Sequence, residues 1–205
     1  MKNLLLISIL FLSINLFSQT AKEWYEQGNA KVEQNDYKGA ISDYTKSIEI
    51  DSNNSLVYAN RGRAKATMQD YRGAIADYTK ALELSIDLWY YSDRGQAKYA
   101  MKDYKGAIAD YTKAIELDSK RDLFWRSLSF YGLRAEAKEA LQDYTGAKAD
   151  YTKIIELDPK SGLAYKSRGF VKLKLKDKNG ACLDFSKAGE LGLDIAYDAI
   201  REYCN

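Results

Sequence analysis

The chain has no histidine, one proline and only two cysteines among 205 residues. Without histidine, Ser-His-Asp and Cys-His catalysis and histidine-held metal centres are excluded. Two cysteines fall short of a structural zinc site, which usually takes four ligands. The scarcity of proline argues against a disordered or linker-rich chain. No charge of one sign dominates, since 31 lysines and arginines face 29 acids. Neither a basic excess nor a basic stripe is present, so nucleic acid is not an expected partner. Long apolar runs are missing too, with one exception. Leu4 to Phe17 is uncharged over fourteen residues and follows Met1-Lys2-Asn3. A spanning helix needs roughly 20 apolar residues, so this run has the length of a signal-peptide core. Residues 1–18 are therefore expected to be a signal peptide, cleaved after Ser18, and the protein to be exported to the periplasm or beyond. Leu16 weakens that cleavage site, which leaves an uncleaved anchor as the alternative. No cysteine lies near the end of the run, against a lipoprotein, and no membrane span is expected after cleavage.

What is abundant is tyrosine, with 17 copies, and it follows a repeat. The segments Asp36 to Asp51, Asp70 to Leu84, Asp103 to Asp118 and Asp143 to Pro159 are near copies of DYKGAIADYTKAIELD, and Asp177 to Leu191 is a degenerate fifth. The aromatic before the recurring Thr-Lys or Ser-Lys is Tyr44, Tyr78, Tyr111, Tyr151 and Phe185, spaced by 34, 33, 40 and 34 residues. Ala40, Tyr44 and Ser47 fall at i, i+4 and i+7, one face of a helix. Asp36, Asp70, Asp103, Asp143 and Asp177 stand where that helix starts, as capping residues. The glycine three residues after each is expected to let neighbouring backbones approach. A second recurring piece, such as NRGRAK at Asn60, places a small residue on a preceding helix. One such hairpin cannot bury its apolar face alone, and stacked copies can.

This pattern resembles the tetratricopeptide repeat, in an exported bacterial type. The resemblance rests on Trp24, Tyr58, Tyr91, Tyr131 and Tyr165 at position four, and on Gly28, Gly62, Gly95, Ala135 and Gly169 at position eight. Ala40, Ala74, Ala107, Ala147 and Ala181 stand at position twenty. The family's late proline survives only as Pro159. The resemblance covers about 21–193 and implies an all-α, right-handed solenoid of five hairpins: about 21–54, 55–87, 88–121, 122–161 with an extended first helix, and 162–193. Residues 194–205, with Ala196, Tyr197 and Ile200, are expected to form a capping helix. Six extra residues around Asp122 to Ser127 are assigned to the fourth unit's first helix, with Ser119 and Asp122 as its cap. Phe124 and Trp125 there either pack on the third unit or form a spur that meets a partner.

In this family the first helices line a concave groove that takes extended peptides. Carried over, the groove residues are Tyr25, Asn29, Asn60, Arg63, Trp89, Asp93, Gln96, Tyr99, Glu136 and Phe170. The mixture of aromatic and polar groups suits peptide recognition, and also a merely solvated groove. One subfamily grips carboxylates with two asparagines and three basic residues. Asn29 and Asn60 match the asparagines, but Tyr25, Trp89 and Asp93 occupy the basic positions, so that clamp is not expected. Arg61, Arg94, Arg134 and Arg168 recur four residues before Lys65, Lys98, Lys138 and Lys172. Asp43, Asp77, Asp110, Asp150 and Asp184 precede the repeated aromatic. These charges follow the repeat period and read as ion pairs that set the stacking.

The implied function is a non-catalytic scaffold binding a protein or peptide, with no cofactor or metal. The rival is a structural component that self-assembles through its convex face or the Phe124-Trp125 spur. Cys182 and Cys204 are expected to form a disulfide. Both lie beyond the signal peptide, and the antiparallel tail helix brings the end of one helix near the start of the other. The alternative is two buried thiols packed as small apolar groups.

Overall fold

The computed structural model describes residues 19–119 and 124–204, with the backbone alone for 119 and 124–127. The expected signal segment and the side chains of Phe124 and Trp125 lie outside the described residues, as does the proposed Ser119–Asp122 cap. Eleven helices, and no strand, occur among the described residues. The chain divides into two compact units, one reaching to Ser85 and the other beginning at Ile86. The first holds α1 (Ala21–Glu33), α2 (Tyr37–Ile50), α3 (Ser55–Thr67) and α4 (Tyr71–Leu84). The second holds α5 (Leu88–Ala100), α6 (Tyr104–Ser119), α7 (Phe124–Ala140), α8 (Tyr144–Leu157), α9 (Gly162–Lys174), α10 (Lys178–Glu190) and α11 (Ile195–Tyr203). Within each unit, helices adjacent in sequence pack on each other, so the expected all-α hairpin plan holds. No helix among the described residues is long and apolar enough to cross a membrane.

The second helix of every hairpin starts at the expected aspartate. Asp36, Asp70, Asp103, Asp143 and Asp177 each accept from the backbone N–H three residues on, at 2.9–3.0 Å. The donor is always the repeated glycine, and its reason differs from the expectation. A Cβ on Gly39 would stand 2.1 Å from Asp36 Oδ2, and the same clash recurs at 2.2 Å for Gly73, Gly106, Gly146 and Gly180. The glycine therefore makes room for the capping carboxylate of its own helix, rather than for a neighbouring backbone. One residue before each cap, Asn35, Gln69, Lys102, Gln142 and Lys176 take φ between +60° and +64°. That left-handed residue stops the first helix and turns the chain into the second. Without glycine or a regular asparagine there, the sequence carries no signal for it.

The small residues at position eight do meet the repeated aromatic. A Cβ on Gly28, Gly62, Gly95 or Gly169 would lie 2.5–2.9 Å from the ring of Tyr44, Tyr78, Tyr111 or Phe185. Those rings are at most 2% exposed and form the centre of each hairpin. In the fourth hairpin Ala135 replaces the glycine, and Tyr151 is 6% exposed, with its hydroxyl donating to Glu139 Oε1 at 2.7 Å. The six extra residues are shared between two helices. The helix α7 has 17 residues against 13 in α1, α3, α5 and α9, and α6 has 16 against 14 in α2 and α4.

The tail caps the last hairpin as expected. Ala196 and Ala199 are buried, whereas Tyr197 is half exposed and lays its ring against Gly189. Ile200, Tyr203 and Cys204 pack around Ala181 and Phe185. Cys182 and Cys204 are disulfide-bonded, with their Cα atoms 5.7 Å apart. A loop of 22 residues closed in this way stabilises by about 3 kcal/mol in the chain-entropy model. Replacing both cysteines by serine is expected to lower the free energy of urea unfolding by about that amount. An unchanged midpoint, with wild type measured oxidised, would show that α11 docks without the bridge.

Candidate functional site

The repeated charges form one cluster per hairpin. In the fourth, Arg134 donates from Nη2 to Asp150 Oδ1 at 2.7 Å and from Nε to Oδ2 at 3.0 Å. Lys138 Nζ reaches the same Oδ2 at 2.7 Å. The same three-sided arrangement joins Arg61 and Lys65 to Asp77, Arg94 and Lys98 to Asp110, and Arg168 and Lys172 to Asp184. Two partners were not apparent from the spacing. The guanidinium groups of Arg61, Arg94, Arg134 and Arg168 lie 5.4–5.6 Å from the ring centres of Tyr58, Tyr91, Tyr131 and Tyr165. Arg61, Arg134 and Arg168 also donate to Thr45, Thr112 and Thr152 of the preceding hairpin, at 3.0–3.2 Å. These groups set hairpin stacking, as the period implies. The first hairpin departs from it: Gln27 stands where the others have arginine, and buried Asp43 is held by Lys31 Nζ at 2.6 Å.

Each unit opens a cavity between the first helices of two successive hairpins. The cavity of the first unit holds about 410 Å³ and is framed by α1 and α3 with Tyr37 and Tyr44 of α2. Asn29, Asn60 and Arg63 line it, as the groove reading places them, together with Glu33. Their side chains form a chain of bonds. Tyr44 donates to Asn29 Oδ1 at 2.8 Å, and Asn60 Nδ2 donates to Asn29 Oδ1 at 3.3 Å and to the Tyr25 hydroxyl at 3.2 Å. Arg63 Nη1 completes it with a bond to Asn60 Oδ1 at 3.2 Å. Burial, reinforced by Tyr25, pushes the Tyr44 hydroxyl up to about 12 from its ordinary 10.0. It therefore stays a donor across the physiological range.

The cavity of the second unit holds about 340 Å³. Leu128, Ser129, Gly132 and Glu136 of α7 form one wall, and Leu163 and Ser167 of α9 form the other. Tyr151 and Ile154 of α8 make the floor, and Asp158 and Ser161 close one end from the loop between hairpins. Of the predicted residues only Glu136 lines it. Partial burial, then repulsion by Glu139, raises the Glu136 carboxyl above its ordinary value. The other predicted residues lie elsewhere. The Trp89 ring, 42% exposed, packs edge-on against buried Phe130 at 5.6 Å. Gln96 donates weakly to Ser92 at 3.5 Å, and Asp93 is half-buried on the same helix. Tyr99 stacks edge-on with Tyr104 at 5.2 Å, its hydroxyl raised by burial and then by Glu136. Phe170 is built into the terminal cap, 5.0 Å from Phe185 and 6.2 Å from Tyr203. Gly132, Asp158 and Ser161 were missed because the loop residues follow no helical period and the glycine stands three places before the small position of its repeat, Ala135.

Family models agree with the hairpin geometry. A model described as TPR repeat matches residues 28–69, and two models described as Tetratricopeptide repeat match, one residues 89–121 and the other residues 56–85 and 128–161. The chain belongs to the tetratricopeptide-repeat family. Among solved tetratricopeptide structures, MamA is 22% identical, covering 89% of this chain and 94% of its own at a TM-score of 0.76. MamA of Desulfovibrio magneticus is 19% identical, covering 85% and 96% at 0.75. YrrB, described as a TPR protein with an unusual peptide-binding site, is 19% identical, covering 87% and 90% at 0.73. No curated protein matches the chain. At these identities the likeness is one of fold, and tetratricopeptide hairpins support a protein-interaction scaffold as the class of function.

Proposed function

We propose that the protein is an exported, non-catalytic scaffold that binds an extended segment of a protein partner in the cavities between its first helices. The observation that carries this is the pair of cavities, of about 410 and 340 Å³, each offering amide, hydroxyl or charged groups around an apolar floor. Such a mixture orients a peptide through a few polar contacts while apolar surface supplies affinity. The peptide-binding site of YrrB, a protein of the same fold, supports the reading. Export rests on residues 1–18 and on the Cys182–Cys204 bridge, which suits an oxidising compartment. Selection of displayed random linear peptides on residues 19–205 tests the binding. Selected peptides are expected to lose at least tenfold in affinity to Asn29→Ala with Asn60→Ala, or to Gly132→Leu, with helicity unchanged. Peptides indifferent to both variants would point to another face, such as a self-assembly surface.

A further inference from the structure

The two cavities differ in charge. The first has Arg63 and Glu33 in its lining, so its ionic character is balanced. Among the described residues, the second is lined by Glu136 and Asp158 and by no lysine or arginine. The charge that acts on Glu136 is that of another acid, Glu139, and both this repulsion and partial burial disfavour its anionic form. Glu139 is engaged by the Tyr151 hydroxyl at 2.7 Å, and Asp158 Oδ1 accepts the Lys160 N–H at 3.0 Å. Beside these acids lie Leu128, Ile154 and Leu163, the last 60% exposed at the rim. The opening is kept by Gly132. A Cβ there would meet nothing closer than Ile154 Cδ1 at 3.9 Å, in contrast to the glycines packed against tyrosine rings.

We propose that the second cavity seats a lysine or arginine side chain of an extended peptide, its methylenes against Leu128, Ile154 and Leu163 and its cationic head at Glu136. This names the ligand chemistry of the proposed peptide-binding function and rests on it. A long basic side chain presents an apolar stem and a charged tip, and this cavity offers both apolar and acidic lining. A cation at Glu136 offsets the repulsion from Glu139 and gains charge-assisted hydrogen bonds in a partly dry site. The serine hydroxyls of Ser129, Ser161 and Ser167 supply acceptors or donors for the peptide's own backbone.

The probes are four capped peptides, acetyl-Gly-Leu-Xaa-Leu-Gly-Ser-amide, with Xaa lysine, arginine, norleucine or glutamate, titrated into residues 19–205 and followed by backbone amide shifts. The lysine and arginine peptides are expected to shift Gly132, Glu136 and Ser167 and to bind at least fivefold more tightly than norleucine. Glu136→Gln should erase that preference, and raised salt should narrow it. Gly132→Leu fills the opening from a helical position with free space, so it should remove binding while melting no lower than wild type. Equal binding of the norleucine peptide, shifts confined to the Asn29–Asn60 cavity, or no saturation by any probe would each overturn the assignment. The first two results would leave peptide binding itself standing, and failure of both cavities in the display selection would remove that as well.

Discussion

Replacing Asp150 by alanine is expected to lower the free energy of unfolding by about 3–5 kcal/mol. The carboxylate is about 4% exposed and receives three charged donors, two from Arg134 and one from Lys138, which are each about 16% exposed. Removing it leaves two cations in a site with little water, and the loss is chiefly their unpaired desolvation. Arg134 keeps its bond to Thr112 and its place over Tyr131, but neither carries a negative charge. The triple change Arg134→Met, Lys138→Met, Asp150→Leu should recover most of that loss, because it removes the buried charges together. Urea melts of the single and triple variants check this. As a contrast, Glu156→Ala, which breaks the exposed pair with Lys153, should leave the melt unchanged. A single Asp150 variant that melts like wild type would mean that water reaches the cluster.

Alkaline unfolding is expected to be steep. Burial raises the hydroxyls of Tyr44, Tyr111 and Tyr151, the first to about 12 and the other two further. For Tyr111 the acids Glu136 and Asp110 add to the effect, and for Tyr151 the bond it donates to Glu139 does so. In an unfolded chain these groups ionise near 10.0. A raised folded pKa means stability that is complete below the unfolded value and is lost as pH rises toward the folded one. Each tyrosine therefore subtracts up to about 1.4 kcal/mol per pH unit once the unfolded form is fully ionised. For Tyr44 the loss is complete near pH 12, and for the other two it continues beyond. Helicity should collapse cooperatively above pH ~10, with the tyrosinate absorbance of the buried rings appearing only as the helices melt. Tyr111→Phe should move that midpoint upward. Full ionisation of all 17 tyrosines with helicity intact would contradict the burial argument.

The hairpins were legible because their decisive contacts are local and recur. A capping aspartate reaches three residues, Arg134 reaches Asp150 sixteen residues away, and the glycine–tyrosine fit pairs two helices joined by a short turn. Four or five copies of each turn a weak spacing into a pattern, so fold, ion pairs and terminal cap could be read without coordinates. The Cys182–Cys204 bridge followed from the same plan, since a helix that doubles back places its end beside the start of its neighbour. What the tertiary structure decided has no period. It divided the six extra residues between α6 and α7, and it turned Phe170 into packing for Phe185 and Tyr203. It also gave the repeated glycine a different purpose, because only the atoms show that Asp36 Oδ2 occupies the space of a Cβ. Above all it gathered Gly132 and Glu136 of one helix and Asp158 and Ser161 of a separate loop around one cavity. A cavity is the space that packed helices leave between them, and its charge is set by side chains from separate elements. Neither can be read from any one of those elements.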